Sequence, residues 1–487
     1  MDALAAYHLA RVRQRAVPPK HMPLVAPPSR RQVLGLALVL ALFGCKAKAK
    51  PSAPVAPPSA SASVAQISEP APERCRALGT GSSLIVGEVD RPPRAPNADP
   101  EPNDDADEDE TLLPFATHVD SALALESEFA VGGLSTQHGK TEAFVAFVPL
   151  DGGPGRRVGL GTVHGDVDPP LVTGNGRRLL VATSDMDAGG GMLRVSAIAH
   201  GADKPQGELS LTGVEHDAGA AFAESEQTAL LVWAGRDKHG VVLKALAIDP
   251  EKLGAAANAG QELKGTADAE SPALVARPGG YWLSWVAEQA PGDGGVRADA
   301  GLHSDVRARA DAGASDEGDR LVDVGPRVLM ALMLDGSGKP TGSARQVSAP
   351  RSHVVGFSAA LSPDGALSLT WREDDAAPGV EAGPPTLARV GLDGAVLRSK
   401  VDDEELSAGT PSLLSDPKPG GDVWVALESA SDGTRVGVLS PTGLKLNSLI
   451  GDRLLRGADL LAAGDKKLFV AKSRGRAIEL SVLECKP

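Results

Sequence analysis

FSAALSPDGALSLTWRED, residues 357–374, holds two short apolar runs around a Ser-Pro-Asp-Gly turn, and the second run turns polar abruptly. Two such runs joined by turn residues predict a β-hairpin, because Pro and Gly supply the backbone angles of a tight turn. The outline recurs along the chain. RRLLVATSD (177 on), TALLVWAGRD (228 on), GYWLSWVAEQ (280 on), GDVWVALESA (421 on) and DKKLFVAKSR (465 on) repeat the second run, and PPLVTGNG, SPALVARPGG and PSLLSDPKPGG repeat the first. A third run follows in each unit and ends at a polar turn, as in FVAFVPLDGG, KALAIDPEKLG and LMALMLDGSGK.

Taking Asp151, His200, Asp249, Asp335, Asp393, Ser440 and Glu484 as equivalent points gives spacings of 49, 49, 86, 58, 47 and 44 residues. The long spacing contains residues 291–320, in which RADAG occurs twice and which is expected to be a disordered insert. Units of this length with four short strands each predict an all-β chain folded as a seven-bladed β-propeller over 75–487. Each sheet has two apolar faces that only its neighbours can cover, so the ring must close to have a core. A β-helix or tandem sandwiches fit the period less well. Composition agrees: aromatic residues make up 3% of the chain, while 56 Gly and 38 Pro favour many short elements joined by turns. The net charge of −14 argues against nucleic acid, whose phosphates require a basic footprint.

The N-terminal part has a different character. RRQVLGLALVLALFGCKAKAK, residues 30–50, places a basic pair before an apolar run from Val33 to Phe43, too short to span a bilayer comfortably. These are the parts of a secretory signal peptide, assigned to residues 1–44, with Met22 offering a second start. LFGC, Leu42 to Cys45, resembles the bacterial lipobox, and the resemblance implies that Cys45 is lipidated and becomes the mature N-terminus. SRRQVL, Ser29 to Leu34, also resembles a twin-arginine export signal, which leaves the export route open. Residues 45–74 then form a Pro/Ala/Ser-rich linker, too poor in large apolar side chains to fold. Lys46 is not the Asp that marks inner-membrane retention in some Gram-negative lipoproteins, so the outer membrane is expected where the host has two.

SPDGALSLTW, Ser362 to Trp371, resembles the SPDG-type repeat of Tol-system propellers. It covers one copy well, supports the fold and implies no function. The last copy ends with its third strand, AIELSVLEC, and SSLIVGEVD, Ser82 to Asp90, is expected to supply the fourth. Lipidation of Cys45 leaves Cys75 and Cys485 as a pair, placed so that a disulfide replaces the turn missing between those strands. The alternative is two unpaired buried thiols.

Catalytic motifs are sparse. DGSGKPTGS, Asp335 to Ser343, lacks the first glycine of a phosphate loop and is expected to be a hairpin turn. In propellers of this kind the loop leading into each blade and the loop between its second and third strands share one face. The lead-in loops carry His118, Asp120, His164, Asp166, Asp168, Glu215, His216, Asp217, Asp268, Glu270 and His353. The second set adds Asp185, Asp187, Asp237, Glu373, Asp374, Asp375 and Asp432. An acidic loop, 91–111, is expected nearby; six of the seven residues from Asp104 to Glu110 are acidic, yet no regular calcium-ligand pattern is present.

This face supports a binding or scaffold role in the cell envelope, toward a basic envelope protein, by a monomer anchored to the membrane through its lipid, with no enzymatic activity and no cofactor. The alternative is a periplasmic or surface metal-dependent hydrolase built on His118, His164 and His216 with neighbouring Asp residues. Loops that are polar only because they are wet are the plain reading beside both. Trp233, Trp285 and Trp371, at equivalent ends of second strands, are expected to pack between blades, with sugar stacking as the alternative.

Overall fold

The computed structural model describes residues 75–85 and 115–486, apart from 255–259, 290–325, 374–383, 402–407, 416–420 and turn segments of at most three residues. The expected signal peptide, Cys45 with its linker, the acidic loop 91–111 and the insert 291–320 lie outside the described residues. Every long element is a strand. β1 (Cys75–Ile85) comes first, followed by β2 (Phe115–Ala124), β3 (Glu128–Gln137), β4 (Lys140–Pro149) and β5 (Arg156–Val163). Next are β6 (Leu171–Gly174), β7 (Arg178–Asp187), β8 (Gly190–Ala199) and β9 (Gln206–Val214), then β10 (Ala220–Glu224), β11 (Ala229–Asp237), β12 (Gly240–Ile248) and β13 (Gln261–Glu262). The fourth group is β14 (Ala269–Arg277), β15 (Gly280–Glu288), β16 (Arg327–Asp335) and β17 (Arg345–Gln346), and the fifth is β18 (Val354–Leu361), β19 (Leu367–Glu373), β20 (Thr386–Val390) and β21 (Val396–Lys400). The chain continues through β22 (Ala408–Ser415), β23 (Val423–Ser429), β24 (Gly433–Leu439) and β25 (Leu446–Gly451) to β26 (Leu460–Gly464), β27 (Lys467–Arg474) and β28 (Ala477–Cys485).

Turn chemistry explains the repeat. After the third strand of four units an Asp side chain accepts the backbone N–H two residues on: Asp151 from Gly153 (2.9 Å), Asp249 from Glu251 (3.0 Å), Asp335 from Ser337 (2.8 Å) and Asp393 from Ala395 (3.0 Å). Such an Asx turn folds the chain back without help from the core. The bonds from Ser337 and from the Lys339 amide hold the Asp335 carboxyl below its ordinary range, and DGSGK is a hairpin turn as expected. In SPDG, Ser362 N–H donates to Ala366 O and Gly365, at φ +84°, lets the turn close.

Antiparallel pairing builds sheets whose second strands are buried on both faces, as the runs ALLVW and LSLTW require. Along β11, Leu230, Val232 and Ala234 face Tyr281, Leu283 and Trp285 of β15, while Ala229, Leu231 and Trp233 pack toward Leu180 and Val195. Equivalent cores lie at every junction between consecutive groups of strands, and a last one joins β2–β4 to β26–β28, where the Phe129 and Phe469 rings stack at 5.1 Å. The result is a closed, all-β propeller. Trp233, Trp285 and Trp371 are 3%, 1% and 0% exposed, so their rings are core and offer no face for a sugar.

Two expectations are corrected. The propeller has five four-stranded blades, not seven; β6–β13 form one eight-stranded sheet. The cause is the short connection after β9, which is laced to β11: Val214 forms a rung with Gly235, Glu215 N–H donates to Ala234 O (2.8 Å) and Ala234 N–H to Gly219 O (3.1 Å). The closing strand begins at Cys75 rather than Ser82, and residues 86–90 lie outside the described residues. Cys75 is the first rung of the β1–β28 ladder, opposite Cys485, and the two form a disulfide with Cα atoms 4.1 Å apart. It stands where a turn would otherwise join the two strands.

Candidate functional site

The lead-in loops and the ends of the second strands meet, and they meet in pairs within one unit. In the second group, His164 follows β5 and Asp185 lies on β7. Asp185 Oδ1 accepts the His164 backbone N–H at 2.9 Å and lies 3.1 Å from its Nδ1, while Met186 N–H donates back to His164 O at 3.0 Å. Arg194 of β8 donates to the other oxygen, Oδ2, and to Thr162 O. Asp185 is 5% exposed, so a carboxylate removed from water is held by a guanidinium, an imidazole and a peptide, as burial of charge demands. The His164 side chain itself is exposed.

The same tie is made with other chemistry elsewhere. Glu215 accepts from Arg236 Nε at 3.0 Å. Glu270 pairs with Arg327 at the start of β16. Glu373 Oε1 accepts both Ser352 Oγ at 2.9 Å and the buried Trp371 Nε1 at 3.0 Å, which fixes the lead-in loop of the fifth group to its own second strand. Asp459, before β26, accepts Ser473 N–H and donates its own N–H to Ala471 O, giving the last group its version of the contact. At the fourth group Asp268 and Ser271 take positive φ angles of 52° and 50° beside a β-bulge between Glu270 and Ala273. A bulge turns a strand and re-aims its side chains.

The remaining sequence candidates are scattered over this face. His118 is exposed on β2, and Asp120 is the extra residue of the bulge between Val119 and Ser121. Asp166 is exposed and Asp168 half-buried in the loop that holds His164, Asp237 ends β11, and His353 bridges to Arg327. His216, Asp217, Asp374, Asp375 and Asp432 lie outside the described residues. Sequence reasoning identified the carboxylates but missed their cations, Arg194, Arg236 and Arg327. A basic residue at the end of the second strand or the start of the third could have found Arg236 and Arg327, whereas Arg194 lies in the middle of β8. Chemically, the described part of the face combines three ion pairs, Asp185–Arg194, Glu215–Arg236 and Glu270–Arg327, with two carboxylates, Glu373 and Asp459, that accept from neutral donors. Among the described residues no group of three or more His, Cys, Asp or Glu side chains converges as a metal would require, and no helix is long and apolar enough to cross a membrane.

No family model matches the sequence, and no curated protein matches it. Among solved structures the chain is similar to Kuenenia stuttgartiensis hydrazine synthase, at 14% identity and a TM-score of 0.46, over 76% of this chain and 96% of that one. It is also similar to a subtype N10 neuraminidase-like protein of A/little yellow-shouldered bat/Guatemala/060/2010, at 8% identity and a TM-score of 0.38, over 64% of this chain and 91% of that one. The assignment of the fold rests on the chain's own strand pairing.

Proposed function

We infer that this is an exported, lipid-anchored propeller that serves the cell envelope as a binding or scaffold module, without catalysis of its own. The observation that carries the reading is the Cys75–Cys485 disulfide. Such bonds form and persist outside the reducing cytosol. This one uses both cysteines of the ring, so of the chain's three only Cys45 is left over, and it closes the apolar run of the lipobox-like LFGC. Lys46 favours the outer membrane in a host with two. The engaged face is that of the lead-in loops, and a net charge of −14 suits a basic partner drawn in by long-range attraction.

The test is metabolic labelling with an acyl chain. The native protein is expected to carry label and partition with membranes, and Cys45→Ser to remain unlabelled and soluble; label that persists in the variant overturns the anchor. Metal analysis of the purified protein tests the metal-dependent alternative. Stoichiometric metal that disappears in His164→Ala would replace the binding module with a metal-dependent enzyme.

A further inference from the structure

Over its first five residues, the strand that closes the ring is weakly held by its own side chains. Among the described residues β1 pairs only with β28, and its ladder comes in two short runs, Cys75–Leu78 against Cys485–Val482 and Ser82–Ile85 against Leu480–Ala477. Gly79 and Gly81 fall in the break between them. Over Cys75–Gly79 only Cys75 is buried; Leu78 is half-buried at the margin of the neighbouring core, and Arg76, Ala77 and Gly79 are exposed. β28, by contrast, buries Ile478, Leu480, Val482 and Leu483 completely. What holds this part of β1 is its main-chain ladder, a bond from Cys75 N–H to Asp452 Oδ2 at 3.1 Å, the solvent-exposed Arg76–Glu484 pair, which counts for little in water, and the disulfide.

We propose that the Cys75–Cys485 bond is a lock on an exchangeable strand: when it is reduced, β1 leaves, and the uncovered edge of β28 accepts the β1 of a second copy, giving a strand-exchanged dimer. An unpaired edge is a template for another strand. The occupant is specified by fit. Gly79 lies so close to the turn after β4 that a Cβ on it would stand 2.5 Å from Gly152 O, and a Cβ on Gly152 would stand 1.9 Å from Leu78 O. A strand without glycine at that point, with φ +68°, is therefore excluded, whereas a second copy's β1 brings the same rungs, the same break and the same glycine. Residues 86–114 separate β1 from β2 and reach up to about 100 Å when extended, so exchange does not require any other strand to move. The reductant is a dithiol such as dithiothreitol. It gives two electrons and two protons and ends as its own cyclic disulfide, while Cys75 and Cys485 end as thiols.

The full chain carrying Cys45→Ser, so that the ring cysteines are its only thiols, provides the test. Oxidised protein is expected to be monomeric by light scattering at every concentration. Protein reduced with dithiothreitol, and the Cys485→Ser variant, are expected to form a dimer whose fraction rises with concentration. Mixing Cys75→Ser with Cys485→Ser and then oxidising adds a decisive arm: exchange brings the remaining Cys75 of one chain against the remaining Cys485 of the other, giving a covalent heterodimer that neither variant gives alone. The proposal is overturned if reduced protein stays monomeric with its β1 amides still protected from hydrogen exchange, or if the mixture yields no heterodimer. It is equally overturned if reduction unfolds the whole sheet structure, for then the bond is a condition of the fold and not a lock.

Discussion

Ser358→Ala removes a single oxygen from the junction between β18–β21 and β22–β25. Ser358 is 0% exposed, and its Oγ accepts the backbone N–H of Leu413, 2.9 Å away on the first strand of the next group. Leu413 is itself buried, so no water can take the place of the lost hydroxyl. An unpaired buried N–H costs about 1–3 kcal/mol. Ser121 supplies an internal reference. Its Oγ accepts Val172 N–H at 3.0 Å across the junction between β2–β5 and β6–β9, but Ser121 is half-buried and water can replace it. Ser121→Ala should therefore cost less than about 1 kcal/mol. Urea unfolding of the three proteins, with equal m values as the condition for comparing midpoints, measures both losses. Native-state hydrogen exchange should show the Leu413 amide exposed selectively in Ser358→Ala. Equal losses in the two variants, or an unchanged Leu413 amide, would refute the assignment of stability to burial of the bond.

Glu224 predicts a pH dependence of the opposite sense to that of a salt-bridged acid. Burial pushes its carboxyl up to about 7, against a downward pull from Arg178 and a further upward push from Glu251. The folded state thus keeps a proton that the unfolded chain releases near pH 4.5; the contribution is complete below that pH and is lost as the pH rises through about 7. After allowance for solvent screening of a part-exposed group it amounts to about 1–2 kcal/mol. Glu224→Gln should flatten this part of the stability profile, and an unchanged slope would falsify the assignment. Gly132→Ala tests close approach: a Cβ there would stand 2.0 Å from Pro170 O, in the rung that carries Ser121, so the two sheets must separate. The expected loss is about 1–3 kcal/mol, read as a lower melting temperature.

The repeat was legible because its signals are local. Asp151, Asp249, Asp335 and Asp393 mark the end of a third strand by bonding amides two residues away, a contact written in adjacent letters of the sequence. Where the unit instead has His200 or Ser440, the apolar run before it carried the same position. The disulfide followed from counting strands and cysteines. The start of β1 was not legible, since CRALGTG has no alternation and is held by its main chain and a cysteine. Nor was the merging of two blades, which depends on a rung between Val214 and Gly235 that neither side chain announces. On the loop face, carboxylates could be found by position, but their cations enter from another strand, and only the folded pairing brings Arg194 to Asp185 or Arg327 to Glu270.

The shared rung between β9 and β11 also bears on recognition. Through the single rung between Val214 and Gly235, the cluster of His164, Asp185 and Arg194 and that of Glu215 and Arg236 stand on one hydrogen-bonded sheet; between the fourth and fifth groups the tie is an isolated bridge, Arg327 to His353. Their spacing is thereby preorganised. A ligand that touched both would meet groups whose ordering entropy was already spent in folding.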